Sequence, residues 1–375
     1  NLDVLSASSR DDKIAWYSAS FDNTAPSTPT GLVATPGNSQ VTLTWTANGE
    51  SDLAGYKVYG GTSSSPTTLL STVTNRENYE HSSLTNGTTY YFRISAVDNA
   101  GNESDKTSDV TAVPARQKYT VKKDGTGNYT DIQSAIDATT SGDTVLVSAG
   151  TYSESITIKD GIVLHGSGYE TTIIQSSLGH LINPGDDTEI AYFTLIGNST
   201  SGSFPSIINL DQLSGDRDVH IHHNKLVQNC RFAIRASSSS DKINLKINDN
   251  ILTGESFTNS FYSVGIFHLE SIESASINNN VFQDYDVDIS SGSFWGIEVS
   301  TNNPNNAASV IISDNIYKNI KTSRYLELHD FRGGVTFKNN LIYNVSSTEF
   351  TGYAISVSGT GSNIIYNNTI ADSPI

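Results

Sequence analysis

Two strand patterns alternate along the second half of the chain, between residues 208 and 368. One is apolar-polar-apolar-polar, as in IRAS at 234–237 and IEVS at 297–300. The other ends on an asparagine that recurs at intervals of about 25–35 residues, at Asn224, Asn250, Asn280, Asn315, Asn340 and Asn368. A repeat of this length without a helical pattern predicts a solenoid, and asparagines that stack at a turn satisfy each other's amides. We therefore expect a parallel β-helix.

The apolar-polar strands also predict two columns of outward side chains, because successive strand residues point to opposite faces. The first column is Asn209, Arg235, His268, Glu298, Glu327 and Ser356. The second column is Asp211, Ser237, Glu270, Ser300, His329 and Ser358. Neighbouring strands lie about 4.8 Å apart, so we expect a continuous polar track along one face of the solenoid.

Residues 23–115 form a segment of their own, which opens on a proline-punctuated linker, DNTAPSTPTGL. Short strands follow at the spacing of a β-sandwich, among them QVTLTWT and TTYYFRISAVD. The segment resembles a bacterial fibronectin type III domain, with Trp45 as its core tryptophan and Tyr90 as its tyrosine corner. The resemblance implies a spacer or adhesive module and no chemistry.

Residues 1–22 hold two alternating strands around a polar turn. They resemble the last part of an FG-GAP or integrin-type propeller repeat, without the calcium loop that would precede it. The chain ends at Ile375 directly after a repeat strand. These ends favour truncation of a longer polypeptide, or else head-to-tail assembly in which residues 1–22 add to a neighbouring copy.

Residues 116–375 resemble pectin methylesterases and related right-handed β-helix proteins, through a first coil that contains GTYSE at 150–154. A short amphipathic helix is expected near 130–139, where it caps the first coil. The later aspartates and arginine of the esterases, and the motifs of pectate lyases and polygalacturonases, have no match here. The fold class that we predict is all-β: a fibronectin type III sandwich followed by a right-handed parallel β-helix.

The polar track contains the groups that a polysaccharide lyase requires, namely a cation beside the uronate carboxylate and a base for the adjacent proton. In this interpretation His268 is the base, Arg235 neutralises charge, and Glu298 with Glu327 binds Ca²⁺ from adjacent strands. The candidate substrate-binding residues are Asn209, Asp211, Glu270, His329 and Trp295. The alternative is a solvated sheet face on which the charges form cross-strand pairs.

Two further clusters carry candidate chemistry. His220 and His222 lie on one outward side of a strand, at a spacing able to share a metal ion, although the sequence offers no third ligand nearby. Asp330 and Arg332 are expected as an ion pair in the turn after the track. Phe294 and Trp295, next to the track, are candidates for holding sugar rings or for packing.

The net charge and composition of the chain exclude some classes of function. The 375 residues carry a formal net charge of −17, which argues against nucleic acid and against unaided binding of polyanions. No apolar run is long enough to span a membrane, and the single cysteine, Cys230, is expected to be buried.

We therefore expect a secreted or cell-surface modular protein with an adhesive, structural or glycan-binding role. Its partners would be an extracellular polysaccharide or other copies of the same chain. The alternatives are a calcium-dependent lyase of acidic glycans and a modular exoenzyme whose catalytic domain lies elsewhere.

Overall fold

The computed structural model separates the chain into two compact units, Asn1–Arg116 and Gln117–Ile375. Strands dominate both units, so the predicted all-β class is confirmed. The residues that the structure describes are 3–7, 14–18, 22–74, 76–198, 205–211, 217–237, 243–254, 257–259, 264–270, 272–289, 293–300, 309–322, 325–332, 334–347, 356–357 and 364–371.

The first unit begins with an antiparallel hairpin in which Asp3–Ala7 pairs with Ile14–Ser18. A sandwich of two antiparallel sheets follows. One sheet has the strand order Thr30–Gly37, Gln40–Thr46 and Asn78–His81, and the other has the order Leu69–Val73, Leu53–Gly61, Tyr90–Asp98 and Val110–Ala112. Trp45 is buried between them, with its ring edge-on to Tyr56 at 5.2 Å between centroids. The hydroxyl of Tyr90 accepts the Thr85 backbone N–H at 3.1 Å, which is the expected tyrosine corner.

Three parallel sheets form the wall of the second unit. Sheet A contains Lys118–Val121, Thr144–Val147, Val163–Gly166, Thr188–Ala191, Arg217–His222, Ile243–Asn248, Ile272–Asn278, Ser309–Ser313, Val335–Lys338 and Ile364–Tyr366. Sheet B contains Gly150–Ser153, Thr172–Ser176, Thr194–Gly197, Lys225–Gln228, Ile251–Gly254, Phe257–Asn259, Val281–Ile289, Ile316–Thr322, Leu341–Ser347 and Thr369–Ala371. Sheet C contains Ile156–Thr157, Ile182–Asn183, Ser206–Asn209, Phe232–Ala236, Val264–Glu270, Ser293–Ser300, Tyr325–Arg332 and Ser356–Val357. Successive coils pass through sheets A, B and C and pair in parallel with their neighbours, which is the predicted β-helix.

A short helix, Ile132–Ala138, packs against the first coil. Asp131 caps it by accepting the Ser134 backbone N–H at 2.8 Å, and the helix buries the side chains of Ile132, Ala135 and Ile136. The carboxylate of Glu154 accepts the first two helical N–H groups at 3.1 Å each. The apolar face of the helix therefore joins the core of the solenoid. Within the described ranges, no helix has the length and apolarity needed to cross a membrane.

The recurring asparagines lie at the corner between sheets A and B and form a ladder through the described coils. Each side-chain amide donates to the Oδ1 atom of the next asparagine, for example from Asn250 to Asn280 and from Asn280 to Asn315, both at 3.0 Å. Each Oδ1 also accepts the backbone N–H of the preceding asparagine. Buried amide groups are therefore satisfied from coil to coil, as predicted from the repeat.

Each asparagine of the ladder follows a corner residue whose φ lies in the left-handed region. These corner residues are His223 (φ 53°), Asp249 (59°), Asn279 (57°), Asp314 (59°), Asn339 (56°) and Asn367 (54°). Asparagine and aspartate tolerate this conformation better than most side chains. In the preceding coil the same corner is occupied by Tyr192, at a φ of 68°.

Candidate functional site

The polar track lies on sheet C, where the strands that carry it are in register. Asn209 pairs with Arg235, Arg235 with His268, and His268 with Glu298. The apolar residues between them, such as Ile234 and Phe267, are fully buried. The first column of the sequence analysis is thus confirmed from Asn209 to Glu298.

The register beyond Glu298 differs from the predicted one. Glu298 pairs with Asp330, and Glu327 pairs with Trp295, three residues away from its expected position. His329 likewise pairs with Ile297, and Arg332 with Ser300. The prediction that Glu298 and Glu327 lie side by side and bind calcium together is therefore wrong, because the two residues are not adjacent.

Asp330 and Arg332 lie in the strand Tyr325–Arg332 and not in a turn after it. Asp330 in turn pairs with Ser356, so the backbone register runs from Glu298 to Asp330 and Ser356, where Glu327 was expected. The side chains of four predicted site residues lie outside the described part of the structure: Glu270, Trp295, Glu327 and His329.

Arg235 is held by an ion pair within the track. Its Nη1 atom contacts Oδ2 of Asp211, and its Nη2 donates to the Ser237 hydroxyl at 2.5 Å. The other Asp211 oxygen accepts the Ser237 backbone N–H at 2.6 Å. Asp211 therefore fixes both the guanidinium and the backbone of the next coil, and it offsets the positive charge of Arg235.

His268 is fixed on two sides. Its Nδ1 atom lies 2.6 Å from Oε2 of Glu298, and its ring stacks on Phe232 with 5.1 Å between centroids and 24° between planes. A carboxylate bonded to one imidazole nitrogen fixes the orientation of the ring. His268 and Glu298 thus form an imidazole–carboxylate pair across two strands.

The track is recessed. The side chains of Arg235, Asp211, His268 and Glu298 are only 15%, 18%, 17% and 9% exposed. Asn209 is buried, and its amide donates to Oδ1 of Asn183 in the preceding coil at 3.1 Å. Charged groups withdrawn from water to this extent require partners. The expected cross-strand pairs are present, as Arg235 with Asp211 and His268 with Glu298. The face that carries them was expected to be solvated, whereas these side chains are largely buried.

His180 is a neighbour of the track that sequence reasoning missed. Its Nδ1 atom lies 2.8 Å from the Ser206 hydroxyl. Burial lowers the pKa of His180, and the charge of Arg235 lowers it further. The residue precedes a strand of only two residues, Ile182–Asn183, so no alternating pattern marks it in the sequence.

The two described aromatic residues beside the track, Phe294 and Phe232, are both buried. Phe294 is fully buried and contacts Tyr285 at 5.7 Å between ring centroids, so it packs the core and does not hold a sugar. Phe232 is also buried and supports His268.

A second cluster of titratable side chains lies on sheet A around the predicted pair of His220 and His222. His222 lies close to two residues from earlier coils, His165 and Glu189. The Nε2 atoms of His165 and His222 lie 2.7 Å and 3.0 Å from the same carboxylate oxygen, Oε1 of Glu189. His220 turns instead to Oδ1 of Asn248, at 2.8 Å. The signal that sequence reasoning missed is the alignment of VLHG, TEIA and VHIH as successive strands.

Comparison with known proteins identifies one part of the chain. Residues 27–113 match the fibronectin type III domain family, which confirms that resemblance. An amylopullulanase of Thermoanaerobacterium saccharolyticum is 42% identical over 100 residues, which are 25% of this chain and 7% of the relative. Exoglucanase B of Cellulomonas fimi is 41% identical over 110 residues, 28% of this chain and 9% of the relative. The chain thus spans less than a tenth of the length of these relatives.

The β-helix has a weaker likeness among solved structures. A family 28 exopolygalacturonase of Yersinia enterocolitica aligns over 92% of this chain and 87% of its own, with 13% identity and a TM-score of 0.40. The β-helix is identified from its own strand order. The comparisons lend no support to the propeller resemblance of residues 1–22.

Proposed function

We propose that this chain is the glycan-binding part of an extracellular modular protein, and that it binds polysaccharide along the polar track of sheet C. The observation that carries the proposal is the unbroken register from Asn209 through Arg235 and His268 to Glu298. Arg235 and His268 lie on neighbouring strands about 4.8 Å apart and remain partly exposed. Their spacing suits a polymer whose hydroxyl groups recur along its length.

The charges of the track favour a neutral or weakly acidic glycan. Arg235 is offset by Asp211, and His268 is bonded to Glu298, so the track presents hydrogen-bonding groups with little net positive charge. The whole chain carries a formal net charge of −17, which repels a polyanion. Two relatives of the fibronectin type III segment are enzymes named for polysaccharides, an amylopullulanase and an exoglucanase, which supports a carbohydrate role and an extracellular place.

Binding to a panel of polysaccharides tests the proposal. The full chain is run in affinity gels with α-glucans, β-glucans, pectate and alginate, and the best ligand is titrated by calorimetry. We expect Arg235→Gln and His268→Gln each to weaken binding about tenfold, since each removes a hydrogen-bonding side chain of the track and one hydrogen bond contributes about 1 kcal/mol. The matched control Lys338→Gln, on sheet A, is expected to bind as the parent does.

Retention of the melting temperature by each variant separates loss of binding from loss of fold. Binding that is unchanged in both track variants, or absent from the whole panel, would contradict the proposal.

The imidazole–carboxylate pair favours a second candidate, a polysaccharide lyase. In that reaction His268 takes the proton from the carbon beside a uronate carboxylate, and the electron pair of that C–H bond forms a carbon–carbon double bond. The glycosidic C–O bond breaks, and its electron pair leaves on oxygen, which is then protonated. The Asp211 ion pair weighs against it, because Arg235 is already neutralised.

Calcium would be needed only for the lyase reaction, and the ligands of the ion would be Glu298 and a carboxylate of the next coil. Release of ultraviolet-absorbing unsaturated products from pectate or alginate with Ca²⁺ present, lost in His268→Gln, would establish the lyase. Binding without such release would leave the first proposal in place.

A further inference from the structure

Three side chains on consecutive strands of sheet A converge away from the polar track. His165, Ala191 and His222 are in register, and Glu189 lies two residues before Ala191, on the same face of the sheet. The donor atoms of His165, Glu189 and His222 all lie within 4.8 Å of one another. Three different coils thus supply one compact set of two imidazoles and one carboxylate.

The distances within this set are close to those of a metal site. Both Nε2 atoms approach the same Glu189 oxygen, at 2.7 Å and 3.0 Å. Ligand atoms placed tetrahedrally around zinc at about 2.0–2.1 Å lie roughly 3.3 Å apart. An ion would therefore require the Glu189 oxygen to move away by about 0.6 Å from the His165 nitrogen and about 0.3 Å from the His222 nitrogen. The two nitrogens lie within 4.8 Å of each other.

A metal ion is bound by the neutral form of imidazole and by an ionised carboxylate. Each Nε2 atom that lies against the Glu189 oxygen would therefore present its lone pair to the ion instead.

The surroundings of the cluster orient its ligands. Nδ1 of His222 lies 2.8 Å from Nδ1 of His223, a partner for the ring nitrogen that faces away from Glu189. Tyr192 sets its ring edge-on to His165 and His222, with centroids 5.4 Å and 5.8 Å away. It does so from a left-handed backbone conformation, which is unfavourable for a bulky residue. The backbone strain at this corner therefore coincides with the cluster.

The cluster is also accessible. The side chains of His165, Glu189 and His222 are 26%, 33% and 11% exposed, which allows an ion to enter and leaves room for a water ligand. Two imidazoles favour zinc and related transition metals over Ca²⁺ and Mg²⁺, which prefer oxygen ligands.

We propose that His165, Glu189 and His222 bind one divalent transition metal ion, with zinc as the natural occupant and a water molecule as the fourth ligand. The ion cross-links three successive coils of the β-helix. This site is independent of the glycan track, because it lies on another sheet and shares no residue with it.

Cobalt and zinc titrations test the site directly. The full chain without a histidine tag is treated with EDTA, desalted and titrated with Co²⁺, and the visible absorption of four-coordinate Co²⁺ is followed. We expect saturation at one ion per chain, displacement by Zn²⁺, no displacement by Ca²⁺, and a rise in melting temperature with Zn²⁺.

Two variants and one control assign the ligands. Glu189→Gln keeps the size of the side chain, and we expect it and His165→Gln each to weaken binding tenfold or more and to abolish the rise in melting temperature. His81→Gln, in the other unit, is expected to bind as the parent does. Circular dichroism without metal confirms the fold of each variant, and either ligand variant is sufficient for the test if the other fails to fold.

Three results would overturn the proposal. They are no saturable binding of Co²⁺ or Zn²⁺ by the parent chain, parent-like binding by a folded ligand variant, and displacement of Co²⁺ by Ca²⁺ as effective as that by Zn²⁺.

Discussion

The side-chain amide of Asn280 donates to Oδ1 of Asn315 over 3.0 Å, although the two residues lie 35 positions apart in the chain. The same Asn315 oxygen accepts the Asn280 backbone N–H at 2.9 Å. One buried side chain thus completes the hydrogen bonding of the coil before it, and a ladder of such contacts ties the coils together.

Substitution of Asn280 by alanine should destabilise the β-helix. It leaves the Asn250 backbone N–H without its acceptor and removes the amide that donates to the carbonyl oxygens of Ile247 and Asn278. Each unsatisfied buried group costs about 1–3 kcal/mol. We expect the free energy of unfolding to fall by about 2–4 kcal/mol, measured by urea denaturation. Asn229→Ala removes an exposed bond to Asn198 and serves as the control, with an expected change below about 1 kcal/mol. Equal losses in the two variants would contradict a special role for the ladder.

Gly197 should not tolerate a larger side chain. A β-carbon at this position would lie 2.8 Å from Cγ1 of Ile207 and 2.9 Å from the Cys230 sulfur, closer than packed atoms approach. Gly197→Ala should therefore lower the free energy of unfolding by about 1–3 kcal/mol, measured by urea denaturation. A β-carbon at Gly49 would have no atom within 4 Å, so Gly49→Ala provides the matched substitution that should cost far less.

The thiol of Cys230 should report on unfolding. It is fully buried, burial raises its pKa to about 12, and its Sγ atom lies 3.1 Å from the carbonyl oxygen of Phe232. Because the thiolate is the reactive form, the native protein should not react with a disulfide reagent at pH 8. In urea one thiol per chain should react. Rapid reaction of the native chain would show that this part of the core opens readily.

The histidine cluster on sheet A predicts a loss of stability in acid, measured without metal. The pKa of His222 is lowered from its usual value of 6.5 in the folded protein, so below pH 6.5 the unfolded chain binds more protons. The lowered pKa of Glu189 acts in the same direction below its usual value of 4.5. Stability should therefore decline as the pH falls from about 6.5 to below 4.5.

Melting temperatures between pH 4 and pH 8 measure this decline, and His222→Gln should reduce the part of it that lies just below pH 6.5. A profile that is identical in the parent and in His222→Gln would show that other groups determine the acid response.

The asparagine ladder and the buried face of most strands could be predicted from the sequence, because residues of the same type recur at equivalent positions of successive coils. The register of Glu298 could not, because the strand Tyr325–Arg332 alternates polar and apolar residues over most of its length. Such a strand admits more than one register, and the observed pairing differs from the expected one by three residues. The pairing of Ile297 with His329 is the result.

The sequence predicts only part of the metal cluster, for a different reason. His220 and His222 are neighbours in sequence, whereas His165 and Glu189 come from two earlier coils whose alignment depends on knowing where each corner lies. The corner before Thr194–Gly197 carries Tyr192 and Phe193 in place of the polar residue and asparagine of later coils. The repeat that reveals the later coils is therefore missing at the coil that supplies Glu189.

Each asparagine of the ladder lies in a corner of two residues, as at His223–Asn224 and Asn279–Asn280, whereas the other two corners of the same coils vary in length. Insertions and deletions can accumulate at those variable corners without breaking the asparagine ladder. The loops on either side of sheet C can thus change in evolution while the spacing between coils stays constant. A laboratory library of loops grafted after strands of sheet B would exploit the same tolerance, with the two-residue corners left untouched as the invariant frame.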